Sequence, residues 1–178
     1  MISDFVKGRK KFDYTQGIQK GIILHRSIDD FTDHHPATQE AKQFFKADYR
    51  LYAGAFVDVV YDHFLANDKN EFAVEQSLKN FATAAYQMIE ANIAWLPQNF
   101  TMMFPYMKEQ DWLYHYKFRQ GIEKGFGGLA RRALYISESA TAYTIFNDRY
   151  TALHNCYNAF FPALKKYTIL QLLELNNS

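Results

Sequence analysis

The stretch "LYAGAFVDVVYDHFLAND", residues 51–68, decides the class of fold. It is apolar almost all the way round, which marks a helix inside a helical protein rather than one half-buried at a surface. Asn67 and Asp68 stop it. Against that apolar background Asp58 and Asp62 stand at i and i+4, so they share one face, with His63 beside them. Two carboxylates buried in such a helix are costly unless cations or strong donors neutralise them, so the segment calls for a counterpart elsewhere in the chain.

That counterpart is sought in "GIQKGIILHRSIDDFTDHHP", residues 17–36. Ile18, Ile22, Leu24, Ile28 and Phe31 line one face of a helix that begins at Thr15 or Gln16 and ends at His34 or His35, before Pro36. Pro36 suits the first turn of a following helix, "PATQEAKQFFKADYR". Farther on, residues 71–97 read as one long amphipathic helix closed by Pro97, and residues 97–105 as a connection with a short helix. Residues 109–134 give two shorter helices interrupted by Gly121, Gly125, Gly127 and Gly128, and 138–175 a helical segment bent at Pro162. With no strand alternation, repeat or low-complexity run, the expectation is an all-α, single-domain helical bundle over residues 1–178.

A chain of 178 residues can bury about two-thirds of its unfolded surface, and 48% apolar with 17% aromatic residues supplies a core and excludes global disorder. Twenty basic against 19 acidic side chains leave a net charge of +1, which implies no overall pull toward nucleic acid or an anionic membrane. The lone Cys156 rules out an intramolecular disulfide and reads as a core residue. With no secretory leader and no apolar run of spanning length, the expected location is the cytoplasm.

On the opening helix His25, Asp29 and Asp33 fall at successive i, i+4 positions, and imidazole with carboxylate is an ordinary donor set for a divalent metal. Arg26 is spaced to form a salt bridge with Asp29 or Asp30. If this helix packs antiparallel to the one carrying Asp58, Asp62 and His63, the two supply ligands for one or two metals. The competing account is a structural ion network in which Arg26, Tyr or His partners hold Asp58 and Asp62. His34 and His35 read as helix-end groups that meet the last carbonyls. His115 and His154 read as core or surface residues. Lys7, Arg9, Lys10 and Lys11 form a basic entry loop, and Arg131 with Arg132 offers guanidinium forks to a phosphate or a solvated helix face.

Taken in order, "SDFVKG", "GIILHRSIDDFTDHHP", "VDVVYDHFLAND" and "GGLARR" resemble the acyl carrier protein phosphodiesterase family along nearly the whole chain. That family is similar to the HD-domain metal-dependent phosphohydrolases, so the resemblance implies an HD-domain-like helical fold and a divalent cation. Manganese comes first, with Mg²⁺, Fe²⁺ or Zn²⁺ as alternatives. The implied reaction is hydrolysis of the phosphodiester joining 4′-phosphopantetheine to a serine of holo-acyl carrier protein.

Carried over by motif, the metal would be held by His25, Asp29 and Asp62, with Asp4 or His63. Asp58 or Asp33 would orient or deprotonate the water, and Arg26 or Arg131 would meet charge on the phosphoryl group. Arg131, Arg132, Lys7 and Arg9 become contacts for phosphate or for the acidic carrier protein. Family members carry a further stretch ahead of the "DF" element, so this chain is expected to lack that segment. A metal phosphohydrolase of another small phosphoester, or a carrier-binding module with impaired catalysis, is the alternative.

Overall fold

The computed structural model describes residue 6 and residues 8–177. Asp4 and Lys7 lie outside the described residues. Among these the chain is helical with no strand: α1 (Gln16–His34), α2 (Pro36–Tyr49), α3 (Ala53–Asn67), α4 (Glu75–Ala91), α5 (Gln98–Glu109), α6 (Trp112–His115), α7 (Arg119–Arg132), α8 (Ala140–Asp148) and α9 (Tyr150–Asn177).

The corner between α1 and α2 follows from Pro36, whose ring forbids the preceding residue an α conformation; His35 is extended at φ −67°, ψ 132°. His35 also serves the next helix, its Nδ1 accepting from the Ala37 backbone N–H at 3.3 Å. His34 stays on α1 and meets the Asp30 carbonyl at 2.8 Å. Between α2 and α3, Arg50 takes a positive φ of 47°, which ends α2 and lets the chain turn back.

The core is built around α3. Phe56, Val57 and Val60 are fully buried, and α2, α7 and α9 pack round that helix. Phe45 of α2 stacks on Phe56 at 5.8 Å, and Phe126 of α7 meets the same ring edge-on at 5.1 Å. Aromatic burial of this kind is the main stabilising term, on the order of 2–3 kcal/mol per ring. Cys156 is buried in this core. A second cluster joins α4 to α5 through Tyr86, Phe100, Phe104 and Met107.

Five expectations from the sequence are corrected. The helix expected over 71–97 covers only Glu75–Ala91, followed by a 3₁₀ turn, Ile93–Trp95. The short helix expected within 97–105 is longer, α5, and runs through Pro105 because burial of Phe100, Phe104 and Met107 offsets the lost backbone bond. The glycines of α7 do not interrupt it. A Cβ on Gly121 would lie 2.0 Å from the His115 carbonyl oxygen and one on Gly125 would lie 3.0 Å from Val59 Cγ1, so glycine here permits close approach. The segment from 138 divides at Arg149 into α8 and α9. Finally, α1 lies along α9 and against α2, while α3 lies against α2, α7 and α9, so α1 and α3 do not pack along each other.

Candidate functional site

The strip of α3 that carries Asp58 and Asp62 is not covered, and both residues are exposed rather than buried. Desolvation, with the neighbouring charge of Asp58 added, pushes the Asp62 carboxyl up to about 7. The Tyr116 phenol is raised mainly by burial and secondarily by the Asp62 charge, while Arg132 acts on it in the opposite sense.

His63 is different from its neighbours, being 3% exposed. Its Nδ1 lies 2.8 Å from the Tyr116 carbonyl, which can only accept, so Nδ1 carries the proton. Nε2 then accepts from the Tyr150 hydroxyl at 3.1 Å. Burial lowers its pKa, and Phe64, Phe146 and Tyr150 surround the ring. Both nitrogens are engaged by protein groups, so His63 joins α3 to α9 and to the residues after α6.

On α1, His25 Nδ1 meets Asp29 Oδ2 at 2.9 Å, the i, i+4 pairing expected from the spacing. His25 borders a hollow of about 340 Å³ between α1, α4 and α5. Arg26 reaches the Val6 carbonyl at 2.5 Å instead of Asp29 or Asp30, tying the chain before α1 to the helix. Asp33 pairs with Lys42 of α2 at 2.8 Å. Arg9 lies exposed in a 3₁₀ turn, Gly8–Asp13, ahead of α1. Among the described residues no three His, Cys, Asp or Glu side chains converge where they could hold a metal ion.

A concavity of about 680 Å³ opens where α6 and α7 face α3 and the end of α5. Arg131, Arg132 and Lys124 all line it. None of these three cations has a carboxylate within ion-pair distance among the described residues. Trp112, Tyr116 and Phe118 supply its aromatic wall. Val59, one turn before Asp62, reaches it from α3.

Lys124 and the aromatic wall were not singled out from the sequence. A signal was there: positions 121, 124, 125, 128, 131 and 132 follow the i, i+3, i+4, i+7 spacing of one helix face, which here is small and cationic. Reading the glycines as breaks concealed it.

Comparison with known proteins places a family model, described as acyl carrier protein phosphodiesterase, on residues 1–164. A curated relative of that name from Yersinia enterocolitica serotype O:8 / biotype 1B is 30% identical over 92% of this chain and 85% of its own. One from Photorhabdus laumondii subsp. laumondii is 28% identical over 91% of this chain and 82% of its own. One from Enterobacter sp. (strain 638) is 27% identical over 92% and 85%, respectively. No solved structure gives a significant match.

Proposed function

Because this chain belongs to the acyl carrier protein phosphodiesterase family, we propose that it hydrolyses the phosphodiester linking 4′-phosphopantetheine to a serine of holo-acyl carrier protein, releasing the apo protein. The observation that carries the reading is the family match over 1–164. A cavity lined by Lys124, Arg131 and Arg132 agrees with it, since a phosphate needs cationic donors.

A divalent cation, manganese by resemblance, belongs to the proposal. Its support is the chemistry of the carboxylate pair: desolvation and then the Asp58 charge raise Asp62, and a cation would stabilise both carboxylates in their charged form. By motif Asp62, His25, Asp29 and Asp4 are the candidates to hold it, although no three such side chains converge among the described residues. Bound there, the ion would acidify a water and offset charge at phosphorus.

The chain's own groups account for the rest. Water oxygen bonds to phosphorus, the bond from phosphorus to the serine oxygen breaks, and the departing oxygen takes a proton to regenerate serine. Asp58, exposed on α3, takes the proton of the attacking water. Arg131 and Arg132 meet the phosphoryl oxygens, where paired charge-assisted hydrogen bonds stabilise the extra negative charge. Asp33 and Arg26, candidates from the sequence, are committed to Lys42 and Val6 and are assigned to holding α1 in place. The acidic carrier protein would be drawn by local cations such as Arg9, an attraction that weakens as salt rises.

The test is intact-mass measurement of holo-acyl carrier protein incubated with the chain and Mn²⁺. Loss of one phosphopantetheine group with wild type, and none with folded Asp62→Asn, is expected. An unchanged holo protein with folded wild type and metal present overturns the proposal. Cleavage of small phosphodiesters alone would favour a phosphohydrolase of another substrate.

A further inference from the structure

We propose that the cavity bounded by α6 and α7 is the seat of the 4′-phosphopantetheine arm, an inference that rests on the function proposed above. The arm has three chemical parts: a phosphate, a branched apolar carbon beside it, and two amides. The cavity matches each. Lys124, Arg131 and Arg132 line it with no carboxylate partner among the described residues, a surplus of positive charge that an anion would complete. Trp112 and Phe118 give the apolar wall, and the side-chain amides of Gln110 and Gln120 can pair with the amides of the arm.

Position supports the assignment as well as composition. Gly121, Gly125 and Gly128 line the cavity on the same side of α7 as Lys124, Arg131 and Arg132, so the helix turns a small and cationic face to it. The phosphate lies among Lys124, Arg131 and Arg132, the cations of the lining. The amides of the arm then lie toward Gln110 and Gln120 of the same lining. At about 680 Å³ the cavity is within the ordinary range for small-ligand sites. Glu109 is the one carboxylate in its lining and would repel a misplaced phosphate at its own end.

The test uses Trp112 as reporter in the full chain carrying Trp95→Phe, which leaves Trp112 as the sole tryptophan. Free 4′-phosphopantetheine should change its fluorescence saturably. Pantetheine without phosphate and inorganic phosphate alone should each bind more weakly, and Lys124→Ala/Arg131→Ala/Arg132→Ala should weaken binding about tenfold or more. Arg131 and Arg132 are exposed, so circular dichroism should show the triple variant folded. The same variant should raise KM for holo-acyl carrier protein. No saturable response, equal affinity for inorganic phosphate, or an unchanged affinity in the triple variant overturns the assignment. Binding without any release from holo-acyl carrier protein overturns the proposed function and leaves the arm site standing. Release with unchanged KM in the triple variant does the reverse.

Discussion

Replacing His63 by alanine tests whether the residue braces the fold or serves a metal. The imidazole is 3% exposed and bonds to the Tyr116 carbonyl at 2.8 Å and the Tyr150 hydroxyl at 3.1 Å. Removing it leaves two polar partners without their bond, costing about 1–3 kcal/mol each, and opens a void among Phe64, Phe146 and Tyr150. Tyr150 is only partly buried and can turn to water, so its share falls at the low end. The sum is a loss of about 3 kcal/mol. With a urea slope of about 2 kcal/mol/M the midpoint falls by about 1.5 M.

Urea unfolding followed by circular dichroism, with EDTA and separately with Mn²⁺, measures it. The bracing role predicts the same loss in both. The burial-lowered pKa adds a signed pH effect. Folded His63 resists protonation, so the stability it contributes is present above the unfolded value near 6.5 and is lost as pH falls from there through its folded pKa. His63→Ala should flatten that part of the curve. A loss under about 1 kcal/mol, or one seen with Mn²⁺ and absent with EDTA, would refute the reasoning.

The Asp62 carboxyl of the metal-free chain should titrate near 7 by carbon NMR and shift down in Asp58→Asn, because one raising charge is gone. Its folded pKa is above its unfolded one, so stability falls as pH rises through that window, and Asp62→Asn should remove the slope in thermal unfolding. Gly121→Ala should destabilise by about 2 kcal/mol or more in urea unfolding, since the new Cβ meets the His115 carbonyl oxygen at 2.0 Å and backbone must move. Phe56→Ala, at a ring with no exposure, should cost about 3–5 kcal/mol by the same measurement.

The helices around α3 were legible because local rules and packing agree there. Pro36 sets the corner after α1, and Asn67 and Asp68 end α3 as read. Elsewhere tertiary contacts overrule local ones. Pro105 and the α7 glycines look like breakers in isolation and sit inside helices because neighbouring residues either offset their cost or need their small size. Spacing showed that Asp58 and Asp62 share a face, but not that this face is uncovered, since that depends on where α2, α7 and α9 pack. His63 beside them looked like a ligand for the same reason: adjacency in sequence turns a residue to a different side of the helix. The cavity joins residues from α5, α6, α7 and α3, and no single segment carries its pattern.

The most direct test is the fate of the oxygen. Holo-acyl carrier protein incubated with the chain and Mn²⁺ in water labelled with heavy oxygen should release 4′-phosphopantetheine carrying one labelled oxygen on its phosphate, with apo protein unlabelled. Label in the serine of the apo protein, or dehydroalanine in its place, would contradict water attack at phosphorus.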